Sequence, residues 1–269
     1  MKTFSSALLL VTFILALPTS LPAQDAQPPT EEPRPLVVGM ELAYPPFEMV
    51  DERGQPAGIS VEIAEALGQF LGRKVVVRNT AFDGLIPALR TGAVDVVISS
   101  MTATEERARA IDFSDPYLKT GLAILTQAGS PADNIWNFNV PEARVAVKKG
   151  TTGHVFVQQH MDKAQVLVFD RENAAILEVA QGKADAFLYD QMSILQHHLR
   201  HVDSTKMILQ PFQEENWAVG IQKGNDELRL QVNAFLAEFR EQGGFEKLVD
   251  KYFAEQRAIF DQHGVPFIF

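Results

Sequence analysis

The stretch Ser99-Ser100-Met101-Thr102-Ala103-Thr104-Glu105-Glu106-Arg107 carries the densest set of groups fit for chemistry. It follows an apolar run, Val94 to Ile98, and brings hydroxyls together with free backbone N–H groups. A helix is expected from about Thr104, with Arg107 in its first turn. A strand end, a turn rich in N–H donors and a helix N-terminus together make a site for an anion. The planar fork of an arginine suits one carboxylate. A capped helix with a solvent-facing arginine is the other reading of the same residues.

A second site follows from an internal match. Ile86-Pro87-Ala88-Leu89-Arg90-Thr91-Gly92-Ala93-Val94-Asp95-Val96-Val97-Ile98 aligns with Ile176-Leu177-Glu178-Val179-Ala180-Gln181-Gly182-Lys183-Ala184-Asp185-Ala186-Phe187-Leu188. Each is a helix closed by glycine, then an aspartate, then an apolar strand. In this register Ser100 corresponds to Asp190. If the two strand ends face each other across a cleft, a ligand meets hydroxyls and Arg107 on one side and the Asp190 carboxylate on the other. An α-amino acid, with its carboxylate and ammonium one carbon apart, fits that pair.

Other candidates are weaker. Tyr44 and Phe47 sit in Glu41-Leu42-Ala43-Tyr44-Pro45-Pro46-Phe47-Glu48, a loop stiffened by two prolines at a strand's C-terminal end. Binding residues collect at such ends in open α/β sheets, although Phe47 could equally be core, Tyr44 less so. Gly150-Thr151-Thr152-Gly153 lacks the lysine and spacing of a nucleotide loop. It reads as a helix cap or as N–H donors to the far side of a carboxylate. His197 and His201, four apart with His198 beside them, have the spacing of a metal pair, but a solvent-exposed surface is the better reading. Nothing resembles a Ser/His/Asp arrangement with local support.

The elements that must position these residues alternate. Strands are expected at Leu36–Met40, Lys74–Arg78 and Val94–Ile98. Between them come a helix capped by Ser60, with Ile63, Leu67 and Leu71 inward, and a helix at Leu85–Arg90. Strands at Arg144–Val147, Gln165–Phe169 and Ala184–Leu188, with helices at His154–His160 and Asn173–Gln181, repeat the plan. Strand–helix–strand order implies parallel sheets with right-handed crossovers. Lys119-Thr120-Gly121 and Glu214-Glu215-Asn216-Trp217 are expected crossings between lobes, with Trp217 to Ile221 a strand returning to the first. Asn225-Asp226 caps a helix ended by Gly243-Gly244, a last helix runs to about Phe253, and the tail to Phe269 packs on the first lobe.

Composition bounds the function. The chain has 269 residues, 46% hydrophobic and 22% charged, with a net charge of −10. That balance fits an ordinary globular protein and argues against nucleic acid or an anionic membrane surface as partner. Cysteine is absent, which excludes disulfides, thiol catalysis, cysteine metal sites and a lipid anchored through cysteine. Lys2, the apolar Ala7–Leu17 and Leu21-Pro22-Ala23 read as an export signal over residues 1–23, followed by a disordered leader, 24–35. A run of eleven residues is too short to span a bilayer, and export without an anchor leads to the expectation of a periplasmic location.

Five stretches in order resemble the bacterial extracellular solute-binding proteins of family 3, the polar amino-acid receptors of ABC importers, from about Leu36 to Phe253. They are Tyr44-Pro45-Pro46-Phe47-Glu48, Asp83 to Leu89, Met101 to Arg107, Asp112-Phe113-Ser114-Asp115-Pro116-Tyr117 and Gly150-Thr151-Thr152. The resemblance implies an α/β, two-lobed type II periplasmic-binding-protein fold, each lobe a mostly parallel sheet flanked by helices. Lobe 1 would comprise 36–117 and 218–269, lobe 2 122–212, and the hinges 118–121 and 213–217. It implies a monomeric receptor that takes a polar amino acid between the lobes and delivers it to a membrane-embedded ABC permease, with no cofactor, metal or catalysis. Arg107 would bind the ligand carboxylate, with Ser100, Met101, Thr102 and Thr152 around it. Asp190 would accept from the α-ammonium, and Tyr44 and Phe82 would sandwich the side chain. Glu41 stands where many relatives carry aspartate, consistent with a basic or amide ligand side chain. Cyclohexadienyl dehydratases share the scaffold but place an acid three residues after the equivalent of Asp190, where this chain has Ser193. A soluble ligand-binding partner of a membrane sensor is the remaining alternative.

Overall fold

The computed structural model describes residues 33–264. The expected export signal, most of the leader and the closing Pro266-Phe267-Ile268-Phe269 lie outside them. Among the described residues no helix is long and apolar enough to cross a membrane.

Chain order is β1 (Leu36–Met40), the small hairpin β2 (Met49–Val50) and β3 (Pro56–Ala57), α1 (Ile59–Phe70), β4 (Val75–Asn79), α2 (Leu85–Arg90), β5 (Val96–Val97), α3 (Glu105–Ala108) and the long β6 (Asp112–Gln127). Then come β7 (Arg144–Lys148), α4 (Thr152–His160), β8 (Gln165–Phe169), α5 (Glu172–Ala180), β9 (Ala186–Asp190), α6 (Gln191–Arg200) and the long β10 (Thr205–Ile221). Helices α7 (Asp226–Glu241), α8 (Gly244–Tyr252) and α9 (Ala254–Gln262) finish the described chain. β1 pairs in parallel with β4 and β5, and β7 in parallel with β8 and β9. The two triplets are the β1 half and the β7 half of the molecule.

Long antiparallel strands join them. The ladder runs β4-β1-β5-β10-β6-β9-β7-β8 as one sheet, because β6 and β10 each extend through both halves. The C-terminal end of β10 borders β5 at Gly220 and Ile221, whereas Leu122–Thr126 of β6 borders β9. Only short crossings were expected here, since a strand of 16 residues changes environment along its length and blurs the period-2 pattern. Its register breaks between Ile208 and Gln213 and again near Trp217 and Ala218, on either side of the pairs Gly121–Glu214 and Thr120–Glu215.

The internal match holds at atomic detail. Asp95 donates its N–H to the Val37 carbonyl at 2.8 Å, and its carboxylate accepts from Val37 N–H at 2.9 Å. Asp185 makes the same exchange with Arg144, at 2.8 and 2.7 Å. Each aspartate thus pins the first strand of its half to the turn behind a helix, and each is held by arginine, Arg34 and Arg73 for Asp95, Arg144 for Asp185. This also explains why β5 is shorter than the expected Val94–Ile98. Asp95 belongs to the turn.

Two local expectations fail. Ser60 does not cap α1: the N-cap is Gly58, at φ 111°, where an added Cβ would come within 2.5 Å of the Phe47 carbonyl. A buried acid, Glu48, accepts from the Ser60 hydroxyl instead, at 2.6 Å. The helix that ends at Tyr252 is also not the last, because α9 follows it and buries Phe260. Asn225 does cap α7, accepting from Leu228 N–H.

Asp185→Ala removes both arginine contacts and an acceptor for a strand N–H. The site is about a third exposed, so the expected loss of stability is about 1–2 kcal/mol by denaturant titration at neutral pH. Arg144 holds the Asp185 carboxyl below its usual range. Its contribution is therefore present above the ordinary aspartate pKa and is lost as pH falls through the lowered value. Wild type and variant should converge in strong acid. Equal stability at neutral pH would contradict this.

Candidate functional site

The C-terminal ends of β1, β5 and β9 and the N-terminus of α4 converge on one hollow of about 30 Å³. Glu41, Tyr44, Phe82, Ser100, Thr102 and Arg107 face it from the β1 half. Thr152 and Asp190 face it from the β7 half. Met101 is the exception among the expected site residues. Its side chain is buried with Leu85, Leu89 and Val97, because alternation along the strand end sends it to the opposite face from Ser100 and Thr102.

Arg107 is placed by a short helix. The Thr104 hydroxyl caps α3 by accepting from Arg107 N–H, which fixes the start of that turn. The guanidinium donates to the Thr102 carbonyl at 2.8 Å and, across the hollow, to the Gly150 carbonyl at 3.0 Å. It also lies 5.4 Å from the Phe82 ring centroid. Burial lowers its pKa, and the nearby Glu215 opposes that. Gly150 has φ 76°, a conformation that glycine adopts without strain. The same turn lets Thr151 cap α4 by accepting from His154 N–H at 3.3 Å, so the cap reading of that motif holds for Thr151.

Asp190 closes β9 and caps α6, accepting from the N–H groups of Met192 and Ser193 at 3.0 and 3.1 Å. The Tyr44 hydroxyl, from the other half, donates into the same carboxylate, with its oxygen 2.7 and 2.8 Å from the two acceptors. Burial raises Asp190 to about 7, and the negative Glu172 pushes the same way. Tyr44 therefore acts through its hydroxyl, and its ring stacks on Phe47 at 5.2 Å. Phe82, the other ring expected beside the ligand, faces two cations, Arg107 and Lys148.

Three charged residues of the site escaped sequence reasoning. Glu48 accepts from the hydroxyls of Ser60, Ser99 and Ser100 at 2.6, 3.1 and 3.2 Å. Burial nonetheless raises it to about 8. Its place in Tyr-Pro-Pro-Phe-Glu was a usable signal. Ser100 reaches it from a left-handed backbone, φ 49°, uncommon outside glycine and frequent at functional sites. Glu215 of β10 accepts from the Thr102 hydroxyl at 2.9 Å, and Thr152 of the other half lies close enough to favour its ionised form. Burial raises it as well. Lys148, the last residue of β7, forms an ion pair with Glu41 of the other half, which lines the hollow. The only sequence signal was a lysine closing an apolar strand.

The histidine cluster reads differently from expectation. His197 is buried, not solvent-facing, with Nε2 3.0 Å from Glu172. Glu172 also accepts from the Ser193 hydroxyl. His198 Nδ1 lies 3.1 Å from the Thr205 hydroxyl.

A profile of the bacterial extracellular solute-binding proteins, family 3, matches residues 36–255. The L-cystine-binding protein TcyJ of Escherichia coli K12 is 29% identical over 218 residues, covering 81% of this chain and 82% of that one. The crystal structure of the ancestral amino acid-binding protein AncCDT-1, a precursor of cyclohexadienyl dehydratase, is 35% identical with a TM-score of 0.75, covering 81% of this chain and 95% of that one. An ancestral arginine-binding protein bound to arginine is 34% identical with the same TM-score, covering 81% and 98%. The strand ends that meet around Arg107 and Asp190 therefore belong to a known architecture, and the chain is a member of the bacterial extracellular solute-binding proteins, family 3.

Proposed function

We propose that this chain binds a polar α-amino acid between its β1 and β7 halves and presents it, in the periplasm, to a membrane-embedded ABC permease. The observation that carries the reading is that a part-buried cation of one half, Arg107, and a buried carboxyl group of the other, Asp190, line the same hollow. A zwitterion is the small solute that satisfies both. Its carboxylate would take the guanidinium now spent on the carbonyls of Thr102 and Gly150. Its ammonium would join Tyr44 on Asp190. The names of relatives, cystine-binding and arginine-binding, are in keeping with this.

The hollow is walled by residues of both halves, so an amino acid enters it as the halves part. Segments 118–121 and 213–217 are the hinges of that motion, with lobe 1 formed by 36–117 and 218–269 and lobe 2 by 122–212. Closure is driven by contacts that exist only when both lobes meet the ligand.

The reading is non-catalytic. Dehydration on this scaffold needs an acid at position 193, and here the Ser193 hydroxyl is engaged by Glu172. Purified protein should give no product from prephenate or arogenate; measurable turnover would contradict the reading.

Each charge-assisted contact contributes about 1.5–3 kcal/mol. Arg107→Ala and Asp190→Ala should each weaken amino-acid binding by tenfold or more in calorimetry, and near-native affinity in either would refute these roles. Because Asp190 lies near 7 in the enclosed site and an ammonium favours its ionised form, binding should tighten as pH rises. A roughly tenfold gain between about pH 6 and pH 8, with proton release, is expected. Asp190→Asn should abolish the slope, and a flat wild-type profile would contradict it.

A further inference from the structure

Lys148 is 3% exposed, and lysine is almost never so buried unless paired. It stands in the β7 half, yet its ammonium reaches the Glu41 carboxylate at the end of β1. The same ammonium lies 5.5 Å from the Phe82 ring centroid, and Arg107 lies 5.4 Å from it. The carboxylate and the aromatic face that would attract a cationic ligand side chain are thus both engaged by the protein's own cations.

The geometry points to Lys148 as the residue that selects the ligand's side chain, excluding cationic ones and favouring a neutral one that carries both a donor and an acceptor, a primary amide. This rests on the binding of an amino acid by Arg107 and Asp190. A guanidinium or ammonium at the end of the ligand would have to displace Lys148 from Glu41 and leave a buried ammonium facing a like charge. An anionic side chain would meet Glu41. An amide separates the pair without stranding either member, its carbonyl accepting from Lys148 and its NH₂ donating to Glu41. A carboxylate at position 41 taken alone reads as equally suited to a basic side chain, and Lys148 removes that reading.

Calorimetry with glutamine, arginine and glutamate as probes tests the assignment on wild type, Lys148→Leu and Glu41→Gln. Wild type should bind glutamine at least about tenfold tighter than arginine. Lys148→Leu should move the glutamine-to-arginine ratio about tenfold or more toward arginine, because Glu41 is then free for a cation. Glu41→Gln should move preference toward glutamate by a similar factor, and it keeps the assignment testable if Lys148→Leu fails to fold. With binding intact, a ratio unchanged in Lys148→Leu, or a wild type that prefers arginine, overturns the selection by Lys148 and leaves the amino-acid site standing. A wild type that binds some other amino acid but not glutamine overturns the amide assignment. Failure of every amino acid to bind overturns the underlying reading and this inference together.

Discussion

A charge removed from water must find a partner, and in this protein the partners come from the other half of the molecule. Arg107 reaches from the β1 half to the Gly150 carbonyl, Tyr44 donates to Asp190, and Glu41 pairs with Lys148. None of these three contacts survives separation of the halves. Under the proposed function these same charges would be the ones a ligand satisfies on replacing them, and closure and recognition would be one set of interactions.

The acids of the site answer burial in a graded way. Glu48 has three hydroxyl donors and still rises to about 8, so three neutral hydrogen bonds do not offset complete desolvation. Asp190 has two helix N–H groups and a tyrosine, and rises to about 7. A positive charge brought beside Asp190 would pull it back down, whereas Glu48 is surrounded by its own serines and shapes the turn that carries Ser99 and Ser100. One acid takes a partner from the opposite half, and the other braces the loop.

Much of this was legible in the chain. The repeat of a glycine-closed helix, an aspartate and an apolar strand located both halves and put Ser100 opposite Asp190. The structure explains the repeat through Asp95 and Asp185, which tie each half's first strand to its neighbouring turn. Eight of the nine expected site residues line the hollow, and Met101 turns away because strand-end alternation decides its face. What could not be read was partnership across the cleft. Lys148, Glu48 and Glu215 look in sequence like a strand-end lysine and two loop acids, and only the fold brings them within reach of residues up to 113 positions away. The length of β6 and β10 was hidden for a related reason, since strands that pass from one half to the other carry no single buried face.

A crystal structure of the protein with a bound polar amino acid tests the central claim most directly. The account predicts the ligand's carboxylate about 3 Å from the Arg107 guanidinium and its ammonium about 3 Å from the Asp190 carboxylate, in one hollow closed by both halves. An amino acid seated elsewhere, or held there with neither charge engaged, would contradict it.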